Sequence, residues 1–152
     1  MKHTKHPQMI FTDDGWLLSR STPVVTYKEL EEYIVNNFAG KNGAFYWSVG
    51  DHEIWQYETE IGERFGDGYD TFDENLPSFV HSGTPGVCDA IKRNLTSLIK
   101  ECGGPLTAIS KICKENNLPF FPRVRMNSHY PIDINHVGYG KFRRNHPELL
   151  IG

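Results

Sequence analysis

Apolar residues along the chain fall into clusters whose spacing switches between that of a strand and that of a helix. Met9, Ile10 and Phe11 form a short continuous apolar run, read as a buried strand, and Asp13-Asp14-Gly15 close it with a turn ahead of Trp16, Leu17 and Leu18. Thr26 and Glu29 have the spacing of a capping box, after which Leu30, Tyr33, Ile34 and Phe38 recur at helical intervals until Gly40. Ala44 to Val49 is a second strand, rich in aromatics and ending at Gly50. Ile91, Leu95, Leu98, Ile99 and Cys102 then trace one face of a helix stopped by Gly103-Gly104. Pro105 suits the first turn of another helix, with Leu106, Ile109, Ile112 and Cys113 on its inner face and Asn116-Asn117 at its end. Leu118 to Met126 is a third strand, whose ladder is expected to start only near Arg123 because Pro119 and Pro122 lack an amide hydrogen. Lys141 to Leu150 reads as a short helix interrupted by Pro147.

Strand, helix, strand, helices, strand is the order of an α/β fold with about three parallel strands and flanking helices, in one domain spanning residues 1–152. The segment from Asp51 to Pro85 lacks sustained periodicity, and connections of that length are commonly binding loops or lids. Its Trp55, Tyr57, Phe65, Tyr69 and Phe72 favour ordered packing.

In a parallel sheet the residues just past each strand's carboxyl end share one rim, which gathers the candidate chemistry. The first strand supplies Asp13 and Asp14; the second supplies Ser48, Asp51 and His52, with Glu53, Tyr57 and Glu58 just beyond; the third supplies Arg125, Asn127 and His129. Trp47 and Trp55 add flat faces on which a sugar or heterocycle can stack. Each set also has a structural use. An Asp-Asp-Gly turn satisfies its own backbone, and an arginine at the end of an apolar run, read as buried, needs a carboxylate such as Asp13, Asp14 or Glu58. His129, Asp133 and His136 are metal-ligand residue types, but Pro131, Ile132 and Ile134 between them imply an extended turn that does not aim both imidazoles together. Neither a metal nor another cofactor is expected.

Charge and cysteine content narrow the classes further. Lys and Arg number 16 against 19 Asp and Glu, a net charge of −3, which argues against a nucleic-acid partner held by overall positive charge; Lys141, Arg143 and Arg144 form a local basic patch. Hydrophobic residues at 38% exclude the composition of a disordered chain. The basic start, MKHTKHPQ, leads into no signal-peptide core, and charged or turn residues break every apolar run before it reaches spanning length, so no membrane partner is expected. Cys88, Cys102 and Cys113 are odd in number and lack CxxC spacing, which points to reduced structural thiols and a cytoplasmic setting. Asn94-Leu95-Thr96 matches a glycosylation sequon and is read as coincidental.

FTDDGWLL, FYWSVGDHEIWQYETEIGERFG and PRVRMNSHY followed by FRRNHPELLI resemble the amino-terminal part of the glycoside-hydrolase-like (β/α)8 barrel proteins. The resemblance implies a partial TIM barrel, its opening third to half, acting on carbohydrate. It makes Arg125, Asn127 and His129 substrate-site residues, with Asp14, Asp51 and Glu58 as secondary neighbours. Barrels of this kind usually carry their acid/base and nucleophile on later strands, so this chain is expected to hold part of a sugar site without a complete catalytic apparatus. Two alternatives stay open. One is a non-enzymatic carbohydrate-binding or assembly module presenting Trp47, Trp55 and neighbouring tyrosines such as Tyr57, with its sheet edge covered by the Asp51–Pro85 loop or by another chain; self-association through an open sheet edge is the protein partner expected. The other is a metal-dependent hydrolase or oxygenase built on His129, Asp133 and His136.

Overall fold

The structure, a computed structural model, describes residues 9–20, 23–51, 54–65, 67, 85–125 and 140–149. Strands β1 (Met9–Asp13), β2 (Gly43–Asp51), β3 (Ile54–Trp55), β4 (Glu63–Arg64) and β5 (Phe120–Arg125) form one sheet; helices α1 (Tyr27–Phe38), α2 (Pro85–Cys102), α3 (Pro105–Glu115) and α4 (Lys141–Asn145) complete the elements, with 3-10 turns at Trp16–Ser19 and Pro147–Leu149. The fold is mixed α/β with a five-stranded open sheet. β2 is central and pairs in parallel with β1 on one side and β5 on the other. Beyond the end of β1, β3 pairs antiparallel with β2 at Gly50, and β4 runs parallel to β3.

The helices form where periodicity and caps coincide. Thr26 and Glu29 close a reciprocal capping box at the start of α1. Pro105 occupies the first turn of α3, and Gly103 and Gly104 take positive φ in the tight connection from α2. Alternation along β2 sends Phe45, Trp47 and Val49 into the core against Leu30 and Ile34 of α1, Leu95 and Leu98 of α2, and Ile109 and Ile112 of α3. Each such side chain contributes about 1.5–3 kcal/mol by leaving water. α1, α2 and α3 therefore all cover one face of the parallel strands. On the opposite face lie Ala44, Tyr46 and Ser48, flanked by Ile10 and Phe121, which are 64% and 46% exposed.

Two strand expectations need correction. β1 is not a buried strand: Met9 and Ile10 are exposed and Phe11 and Asp13, on the side of the helices, are only half-buried, because β1 has β2 as its one partner among the described residues and α1, α2 and α3 pack on one face alone. The third ladder starts at Phe120, ahead of Arg123. Phe45 N–H donates to Pro119 C=O at 2.8 Å, so the odd positions of β5 address β2 and the nitrogen of Pro122 points away from the ladder, where no amide hydrogen is missed.

Asn94 of the sequon is completely buried. Its Oδ1 accepts from Val25 N–H at 3.0 Å, and its Nδ2 donates to Leu18 C=O at 2.7 Å and Arg20 C=O at 2.9 Å. The amide is a structural clasp between α2 and the segment after β1, closed to glycosylation in the folded chain. Cys102 and Cys113 are free thiols, and burial pushes Cys113 up to about 11. No helix among the described residues is long and apolar enough to cross a membrane.

Candidate functional site

Parallel pairing brings the carboxyl ends of β1, β2 and β5 to one rim, where the Asp13-Asp14-Gly15 turn divides its two carboxylates between two jobs. Asp13 faces the helices. Its Oδ1 accepts from Gly15 N–H at 2.7 Å, and its Oδ2 takes a short hydrogen bond from the Tyr33 hydroxyl of α1. Burial first, then that hydrogen bond and the negative charge of Asp13, hold the Tyr33 phenol well above its ordinary range. Asp13 is thereby committed to the fold.

Asp14, the next residue, faces the opposite side of the sheet and pairs with the Nη2 of Arg123 from β5. Continuing the β1–β2 register past Asp13 and Trp47 sets Asp14 beside Ser48, and Ser48 is itself the register partner of Arg123. The ion pair thus spans β2 from its two neighbours, above Ser48, which is 4% exposed. One layer below, Tyr46 stacks on Phe121 with ring centroids 5.0 Å apart. The face opposite α1, α2 and α3 is polar at the carboxyl end and aromatic beneath. Arg123 Nε is buried without a hydrogen-bond partner among the described residues.

The loop after β2 folds back over this rim. Gly50, at φ +148, lets β3 approach so closely that a Cβ there would lie 2.4 Å from the Ile54 carbonyl oxygen. Beside it the β2–β5 register shifts between Ser48 and Gly50, as at a bulge. Trp55 and Tyr57 are half-buried with ring centroids 5.5 Å apart, and the Trp55 indole nitrogen is buried without a partner among the described residues. Further out, Glu63 accepts from the backbone N–H of Lys141 and lies 3.5 Å from its Nζ, tying β4 to α4.

The structure brings together only some of the residues singled out from the sequence. Asp14 stands at the rim, but its arginine is Arg123. Arg125, expected to be buried, is exposed and registers opposite Asp51. Trp47 is fully enclosed in the core, so its ring offers no face to a ligand. Glu58 is largely exposed and lies 3.7 Å from Arg64, away from Asp14's ion pair. His52, Glu53, Asn127, His129, Asp133 and His136 lie outside the described residues, among which no cluster of three metal-ligating side chains occurs.

Arg123 and Gln56 were missed by sequence reasoning. Arg123 sits two positions before Arg125, on the same side of the strand by alternation, so period 2 carried a signal; Gln56, between Trp55 and Tyr57, carried none. A cleft of about 400 Å3 on the helix side, lined by Tyr27, Glu101, Cys102, Thr107, Ala108 and Lys111, has its polar groups already engaged. Glu101 accepts from Tyr27 N–H, Thr107 and Cys102 bond backbone carbonyls, and the Lys111 ammonium lies over the Tyr27 ring. Comparison of the sequence with protein-family models and with curated proteins gives no match.

Proposed function

We propose that this chain is the amino-terminal part of a glycoside-hydrolase-like barrel protein acting on carbohydrate, and that it binds sugar at its strand ends without completing hydrolysis alone. The observation that carries the reading is the Asp14–Arg123 pair bridging three parallel strands at their carboxyl ends, on the face that α1, α2 and α3 leave uncovered. Three helices on one side, a layered face opposite them and polar groups at the carboxyl rim are what one wall of a barrel presents. A carboxylate and a guanidinium fork side by side can accept from and donate to neighbouring sugar hydroxyls. Half-exposed Trp55 and Tyr57 supply aromatic surface nearby.

Hydrolysis needs two carboxyl groups flanking one bond, about 5–5.5 Å apart for retention or 6.5–9.5 Å for inversion, one of them protonated at the start. Asp13 is held by Tyr33 and Gly15, Asp14 by Arg123, and Glu58 lies beside Arg64. Each of the three already has a partner of its own within the fold. The reading includes a cytoplasmic setting, supported by the unbridged Cys102 and Cys113.

The test is a titration of the protein with maltose, cellobiose and xylobiose followed by 1H–15N NMR, alongside chromogenic glycosides. Signals of Asp14, Trp55 and Arg123 should move, Arg123→Ala should weaken binding at least about tenfold, corresponding to ~1.4 kcal/mol, and no glycoside should be cleaved. Shifts confined to the helix side, or no binding of any sugar, would overturn the reading.

A further inference from the structure

We propose that Gln56 is a positioning residue of this rim, fixing the Asp14 turn to the buried indole of Trp47 so that the Asp14 carboxylate meets Arg123; the inference rests on the carbohydrate reading above. The backbone of Gln56 is set first, its N–H donating to Val49 C=O at 2.8 Å. Its side chain then makes two bonds in opposite senses. Oε1 accepts from the Trp47 Nε1–H at 3.1 Å, and Nε2 donates to the Asp14 C=O at 3.3 Å. An indole nitrogen only donates and a carbonyl only accepts, so one orientation of the amide satisfies both.

The amide also lies flat on Gly15, where a Cβ would come within 2.5 Å of Oε1 and 2.7 Å of Nε2. Gly15, at φ +81, leaves that space and gives the turn its left-handed step. Trp47 is fully buried in the core, which makes its indole a fixed anchor. The chain of contacts runs from the core through Trp47, Gln56 and the Asp14 carbonyl to the ion pair. A purely loop-holding role would be met by the backbone bond to Val49 and by the β2–β3 and β3–β4 pairings; both side-chain partners instead sit on the segments that carry the rim.

Gln56→Met keeps the length of the side chain and removes both bonds, whereas Gln56→Glu keeps an acceptor for Trp47 and loses the donor to Asp14. The readouts are the Trp47 indole 1H–15N signal, the Asp14 carboxyl 13C signal and the Arg123 Nε–H signal without ligand, then a cellobiose titration. Gln56→Met should move all three signals and weaken cellobiose about tenfold, on the scale of a lost hydrogen bond. Gln56→Glu should leave the indole signal near its wild-type position while moving those of Asp14 and Arg123. Asp14 and Arg123 signals unchanged in both variants overturn the proposal. If the signals move as expected but the wild-type chain binds no sugar, the linkage stands and the carbohydrate reading falls.

Discussion

At the scale of single residues, the strongest local commitments are groups with no alternative partner. Asn94 satisfies one backbone donor and two backbone acceptors in a site closed to water, so Asn94→Ala leaves all three stranded. With about 1–3 kcal/mol for each buried group left unpaired, and partial relaxation, the substitution should cost roughly 3 kcal/mol or more in urea unfolding. A loss under about 1 kcal/mol would show that water reaches the site. Gly50→Ala should cost about 3 kcal/mol by the same measurement, since it combines a strained φ with a Cβ placed 2.4 Å from a carbonyl oxygen. Asp14 was legible in the sequence because an Asp-Asp-Gly turn after an apolar run marks a strand end. Arg123 and its register were not, because alternation placed two arginines on one side of β5 and gave no means of choosing which one Asp14 meets.

At the scale of elements, α1, α2 and α3 were legible because period and terminator agree in each, joined by a capping box in α1 and a first-turn proline in α3, and their buried faces contain the expected residues. β3 and β4 were not, since two-residue strands have no period to read. The join between α1 and β1 gives a pH test. Tyr33 ionises less readily in the folded chain than in the unfolded one, so its contribution to stability is complete below the unfolded phenol value of about 10 and is lost as pH rises above it. Tyr27, also raised, chiefly by burial, adds in the same direction. Tyr33→Phe should cost about 1–2 kcal/mol at pH 7 by removing a donor from Asp13, and should flatten the decline in stability between roughly pH 10 and 12. An alkaline limb as steep as that of the wild type would assign the decline to other groups.

At the scale of the whole molecule, the two faces of the parallel strands differ in a way the apolar run of β1 did not reveal. Period and composition show that Ile10 and Phe121 belong to strands, but burial depends on what packs across the sheet, and α1, α2 and α3 all pack on the other side. Ile10 at 64% and Phe121 at 46% exposure, around the stacked Tyr46, form an apolar surface flanked by strands that have one partner each among the described residues. Such a surface associates when nothing covers it, and a lysine opposes both stacking of faces and edge pairing. Ile10→Lys removes only lightly buried area, so it should change unfolding stability by no more than about 0.5 kcal/mol. In sedimentation velocity the wild-type chain should show weight-average mass rising with concentration, and Ile10→Lys should stay closer to the monomer. Monomeric behaviour of both proteins across the same range would mean that the face is already covered by the chain's own residues, and would remove the exposed-wall part of the barrel reading while leaving the Asp14–Arg123 rim intact.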